Sequence, residues 1–160
     1  MDWRAMIADK LMSPQEAVSV IKPGDKVWVA PYTTTPPTLC NALYERRHEL
    51  KKIRIDHIAP IFAWIRPEDD DWCDLYDIYA TPLDRDAVNS GRAHYVPFAA
   101  WRQGLLPDGI EEQPDYYLVP VSPPDRHGYC SFGPGVFWSK QLIQRARTVI
   151  AEVHEEFIRT

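Results

Sequence analysis

The chain has 160 residues, 45% hydrophobic and 12% aromatic, enough for one domain with a real core and cramped for two. Its 18 basic and 23 acidic side chains leave a formal charge of −5, which argues against a nucleic-acid partner held by phosphate neutralisation. No stretch approaches the roughly 20 apolar residues of a membrane span, and MDWRAMIADK lacks the apolar centre of a signal peptide; no membrane partner and a cytoplasmic location are expected.

Ser13-Pro14-Gln15-Glu16 reads as a helix start: serine caps, proline takes the first helical position, and Glu16 closes a capping box. Ala17, Val18, Val20 and Ile21 supply its apolar face, and Lys22-Pro23-Gly24-Asp25 ends it. A short strand over Lys26–Ala30 follows, then the proline-bounded loop PYTTTPP. The spacing predicts a helix over 38–50 and a strand over 53–58; Arg66 to Asp71 reads as a solvated acidic turn. A helix over 84–92, a strand over 94–98 and a short helix over 99–106 come next. Asp115–Val121 is the strongest strand, followed by a helix over 138–148 and a strand over 148–153.

Strands alternating with helices imply an α/β fold with a mainly parallel sheet and helices on both faces, as a single domain over 1–160. Ligands of such sheets gather in loops beyond the carboxyl ends of the strands. Two such loops have unusual composition. Residues 30–38 offer three hydroxyls, Thr33, Thr34 and Thr35, beside a helix N-terminus, where they either hold an anion or simply cap the helix. No GxGxxG or GxxxxGK motif accompanies them.

The second loop is SPPDRHGYCSFGPG, residues 122–135. Asp125 and His127 could support acid-base work, but Asp-x-His in a loop more often fixes a turn. Gly128 and Gly133 mark positive φ or close approach. Cys130 reads as a small buried residue rather than a nucleophile. Cys40, Cys73 and Cys130 form no CxxC pair, and His127 with Cys130 lacks a second pair of ligands, so neither a disulfide framework nor a metal site is expected.

The run VSPPDRHGYCSFG, with NSGRAHYVPF, the opening helix and strand, and the closing AEVHEEFIRT, resembles the N-terminal half of the acetyl-CoA hydrolase/transferase family across essentially the whole chain. That resemblance implies a fold of the NagB/RpiA/CoA-transferase type. It implies movement of coenzyme A between an acyl-CoA and a small free carboxylic acid, through a glutamyl-CoA thioester on a glutamate of the C-terminal half. No cofactor is held permanently; the coenzyme A thioester is a substrate. No catalytic residue is therefore assigned here, where the glutamates (Glu16, Glu45, Glu49, Glu68, Glu111, Glu112, Glu152, Glu155 and Glu156) fall on predicted helices, surface loops or the last strand.

The substrate pocket is expected to be walled by Tyr32, Thr33, Thr34, Thr35, Ser122, Pro123, Asp125, His127, Gly128 and Ser131. The family's glycine-rich turn after the first strand is replaced by APYTTTPP, whose prolines remove backbone donors, so a changed acyl or acceptor group is expected. A hydrolase of the same family and a non-catalytic scaffold remain alternatives; a sugar-phosphate isomerase ranks last for want of a phosphate loop. A half of this kind should meet a C-terminal half or partner subunit, or form homo- or hetero-oligomers, through an apolar face furnished by six tryptophans and eight tyrosines.

Overall fold

A computed structural model describes residues 2–97 and 113–160. Its elements in chain order are α1 (Trp3–Met6), α2 (Pro14–Val18), β1 (Lys26–Val29), α3 (Pro37–Glu45), β2 (Ile53–His57), β3 (Cys73–Asp77), α4 (Arg85–Asn89), β4 (Ala93–Tyr95), β5 (Tyr116–Val121), α5 (Ser139–Arg145) and β6 (Thr148–Val153). Among the described residues the six strands form one sheet, every pairing parallel, in the order β4-β3-β2-β1-β5-β6. The chain builds outward from β1 to one edge and then returns to lay β5 on the other side of β1. That reversal between β1 and β5 is a topological switch point.

Period-2 alternation in β1 and β5 sends side chains to two cores. Val27 and Val29 of β1 and Leu118 of β5 pack with Leu39, Leu43 and Ala87, so α3 and α4 cover one face. Trp28, Tyr117 and Val119 pack with Trp138 and Leu142, which places α5 on the other. Among the described residues no helix is long and apolar enough to cross a membrane.

The capping box forms: Ser13 Oγ accepts from the Glu16 amide, and the Glu16 carboxylate accepts from the Ser13 amide at 2.8 Å. The helices are shorter than their apolar spacing predicts. α2 ends at Val18 and α3 at Glu45, where Arg46 turns back to bond the Val18 and Ile21 carbonyls. β3 is the element the pattern failed to give: of its three inward positions, Cys73, Leu75 and Asp77, the last is a carboxylate. The turn over 66–71 is not uniformly solvated either. The Asp69 side chain is 3% exposed, accepts from Tyr44 Oη and lies 3.3 Å from Arg47 Nε. The helix expected over 99–106 lies outside the described residues.

A polar contact ties β6 to the start of α3. Glu152 on β6 accepts a 2.9 Å hydrogen bond from the Leu39 amide in the first turn of α3, where the helix dipole favours a carboxylate. Proline at 36 cannot cap that turn with a side chain. Glu152→Ala should lower stability by about 1–2 kcal/mol in urea unfolding, and Glu152→Gln should retain part of it by keeping an acceptor without the charge.

Candidate functional site

The loops after β1 and β5 flank the switch point, and they touch. Tyr32–Thr34 forms a single 3₁₀ turn entered at Tyr32 with φ +51°. The Tyr32 ring meets Phe137 edge-on with centroids 6.0 Å apart. Gly135 lies against Thr34 so closely that a Cβ on it would sit 1.9 Å from Thr34 Cγ2. Two cavities open here. One, about 350 Å³, is lined by Thr33, Thr35, Ile61, Pro120 and Phe157; the other, about 330 Å³, by Tyr32, Thr33, Thr34, Val136 and Phe137.

The three threonines have different tasks. Thr34 is buried and its hydroxyl donates to the Pro31 carbonyl at 2.6 Å. Thr35 is buried and donates to the Tyr32 carbonyl at 2.8 Å. The Leu39 amide is already taken by Glu152. The anion reading of this stretch is thus corrected, since two of the hydroxyls and one of the helix amides are satisfied internally. Thr33 is the exposed one and borders both cavities.

Beneath this loop sits a residue the sequence reading passed over. His57, at the carboxyl end of β2, is fully buried. The Trp64 indole N–H donates to His57 Nδ1 at 2.9 Å, and an indole can only donate. The imidazole proton therefore resides on Nε2, which faces Thr35 Oγ1 at 3.1 Å. The Trp64 carbonyl in turn accepts from the Trp72 indole at 2.9 Å. Burial drives the His57 pKa down to about 3, so the ring is neutral and acts as a fixed strut under the β1 loop. The clue in sequence was a histidine closing an apolar strand within reach of two tryptophans.

The second loop closes on itself. Ser122 and Ser131 exchange backbone and side-chain bonds: the Ser122 amide donates to the Ser131 carbonyl, and the Ser131 amide to Ser122 Oγ, both at 2.9 Å. Asp125 accepts from the amides of His127 and Tyr129, which holds its carboxyl below the usual range and fixes the turn through Gly128 at φ +84°. The His127 imidazole contacts Arg126 rather than Asp125. Arg159 reaches back across the loop to Ser122 Oγ, the Pro123 and Tyr129 carbonyls and Asp125. Gly133, with φ +59°, leaves no room for a Cβ beside the Phe157 ring.

Of the ten expected pocket residues, Tyr32, Thr33, Thr34 and Thr35 line the cavities, the second wall being residues 134–137. Ser122, Pro123, Asp125, His127, Gly128 and Ser131 line neither and instead shape their own loop. Cys130 is exposed, not buried, and its thiol is pushed up by partial desolvation, which leaves it no thiolate character. A larger cavity, about 600 Å³, lies elsewhere, an apolar groove along β6 lined by Leu11, Met12, Val20 and Val149 among others.

Two outcomes follow from this geometry. In the folded chain His57 takes a proton only near pH 3, whereas in the unfolded chain it does so near its ordinary 6.5, so the unfolded state binds more protons between these values. This part of the stability is complete above pH 6.5 and is lost on acidification, by up to about 1.4 kcal/mol per pH unit; His57→Phe should lack that slope in urea titrations. Gly135→Ala should cost about 1–3 kcal/mol through collision with Thr34, read in the same assay.

The sequence profile of the acetyl-CoA hydrolase/transferase N-terminal domain matches residues 1–159. The chain is 31% identical over 162 residues to a 4-hydroxybutyrate coenzyme A transferase of Clostridium kluyveri, covering 100% of this chain and 38% of that protein. It is 30% identical over 143 residues to a succinyl-CoA:acetate/propanoyl-CoA:succinate CoA transferase of Fasciola hepatica, covering 88% and 30%. Among solved structures, RipA from Yersinia pestis superposes with a TM-score of 0.80 at 26% identity, over 100% of this chain and 40% of that one. The chain thus spans about a third of the length of the curated relatives it matches. A parallel sheet with its two loops meeting at the switch point, and a profile match over nearly every residue, establish that the chain belongs to the acetyl-CoA hydrolase/transferase family.

Proposed function

We propose that this chain forms one wall of the acyl and acceptor pocket of an acyl-CoA:carboxylate CoA-transferase, opposite a second half or subunit. The observation that carries the reading is the pair of cavities at the β1–β5 switch point, bordered by Thr33 from one loop and residues 134–137 from the other. The relatives' activities as CoA transferases supply the reaction class. In this reading a glutamate of the second half attacks the thioester carbonyl, its C–S bond breaks and coenzyme A leaves as thiolate. The thiolate then opens the resulting anhydride to give glutamyl-CoA and release the first acid, and the acceptor carboxylate takes the same route in reverse.

Four of the tryptophans expected at a docking face, Trp28, Trp64, Trp72 and Trp138, are core residues instead. Of the exposed apolar side chains, Ile61, Tyr79, Tyr95, Tyr129, Val136 and Ile158 fall at or beyond the carboxyl ends of strands, while Leu11, Met12 and Val20 line the groove along β6. All loops leaving a parallel sheet's carboxyl edge lie at one end, and two of these residues, Ile61 and Val136, line the cavities. That end is where a partner would both bury apolar surface and bring a nucleophile to Thr33.

Pro36 and Pro37 contribute no amide to this mouth, and the Thr35 hydroxyl is spent on the backbone. The thioester oxygen must then find donors elsewhere, which supports a changed acyl or acceptor preference. Mixing the chain with the C-terminal half of the Clostridium relative, an acyl-CoA and ¹⁴C-labelled carboxylic acids should yield labelled acyl-CoA. Release of free coenzyme A without label would identify a hydrolase, and neither product, with the halves associated, a scaffold. Acetate with a short-chain acyl-CoA as the best pair would remove the case for altered preference.

A further inference from the structure

Two carboxyl groups at the carboxyl end of β3 lie outside everything described above. Asp77 is the last residue of β3 and Asp84 directly precedes α4; they are 0% and 2% exposed. Asp77 Oδ1 accepts from the Tyr79 amide at 3.1 Å, and Asp84 Oδ1 accepts from the Thr81 amide at 2.6 Å and lies 3.0 Å from Thr81 Oγ1. Each carboxyl then has one oxygen, Oδ2, that is buried with no hydrogen-bond donor among the described residues. The Asp84 carboxyl lies beside that of Asp77. A buried acceptor without a donor costs on the order of 1–3 kcal/mol, and two facing buried carboxylates cost far more.

We propose that Asp77 and Asp84 share one proton, Asp77 Oδ2–H donating to Asp84 Oδ2, and that this proton holds the 78–84 loop closed against β3. Among the described residues nothing else compensates. β2 presents His57, which is neutral and engaged through both ring nitrogens by Trp64 and Thr35. β4 presents Tyr95, and α4 presents Arg85 and Asp86, all three exposed. The influences on Asp77 are burial first, then Asp84, opposed by the Tyr79 amide, and no cation is among them; together they lift it to about 8. Asp84 Oδ1 accepts from the Thr81 amide at 2.6 Å and the Thr81 hydroxyl at 3.0 Å, whereas Asp77 Oδ1 accepts only from the Tyr79 amide at 3.1 Å, so the shared proton is placed on Asp77. Loss of the proton to solvent would leave two buried anions.

The loop so held is connected to the cavity. Thr81 Oγ1 also contacts the Pro60 carbonyl at 3.0 Å, and the next residue, Ile61, lines the 350 Å³ cavity. The proton is thus a pH-sensitive latch on one wall of the site, and it holds whether or not the transferase reading does.

The folded Asp77 keeps its proton up to about pH 8, the unfolded one only to its ordinary 3.8, so the folded state binds more protons between. Stability from the latch is complete below pH 3.8 and declines as pH rises to about 8. Between 3.8 and 6.5 the opposite slope of His57 masks it, so the informative window is 6.5 to 8. There the urea-unfolding constant of the 160-residue chain, followed by tryptophan fluorescence, should rise by up to tenfold per pH unit and then level off. Asp84→Asn, whose amide replaces the proton as donor, should remove that slope; an unchanged slope would overturn the proposal.

Should the variant not fold, ¹³C-carboxyl NMR of the wild-type chain decides. One aspartate should titrate near pH 8, with the Tyr79 and Thr81 amide cross-peaks moving at the same midpoint. Titration of every aspartate below about pH 6 would refute sharing. A rise in wild-type stability at pH 8 on adding millimolar Mg²⁺, absent in Asp84→Asn, would assign the two oxygens to a cation and equally overturn it.

Discussion

A hydrogen bond from an indole to a buried imidazole sets the geometry at the mouth of this sheet. Because Trp64 can only donate, His57 must present its other nitrogen as a donor, and Thr35 must turn its own hydroxyl proton toward the Tyr32 carbonyl. The direction of each link follows from the one before it. A protonated His57 would place a second donor against the indole N–H, so burial and the tryptophan both favour the neutral ring. The β1 loop is then held from below by a polar strut and from the side by Gly135 and Phe137.

The same economy shapes the loop after β5. Its Asp-Arg-His-Gly-Tyr-Cys segment has the residue types of a catalytic cluster, yet the groups capable of chemistry are engaged in holding the turn. Asp125 bonds backbone amides, Ser122 and Ser131 bond one another, and Arg159 ties four points of the loop together. What remains for a ligand is shape: a wall delivered by residues 134–137 to the place where the sheet reverses its order.

Much of this was legible in the residues. The strands with uninterrupted apolar or β-branched runs, β1, β5 and β6, stand where the pattern puts them, as does the Ser13–Glu16 box. The two loops singled out by composition are the two that flank the switch point, and Gly128 and Gly133 do adopt positive φ. What stayed hidden depends on distant partners. β3 carries an aspartate that is tolerable inside only because another meets it from α4, and no local rule foretells that. His57 needs Trp64 and Thr35 beside it, and Arg159 acts on a loop some thirty residues away. Helix lengths were overread because apolar spacing continues into turns that Arg46 folds back onto the sheet-covering helices.

The capping of α3 by Glu152 has a bearing on how the chain acquires its structure. The two residues are 113 positions apart, so all of α3 has been synthesised long before its first-turn amide can find that carboxylate. Until β6 docks, the helix that underlies the β1 loop has a frayed beginning. Contacts of such long separation arise late and slow the search for the native state. The cavity mouth at Thr33 therefore leans on the final strand although it follows the first.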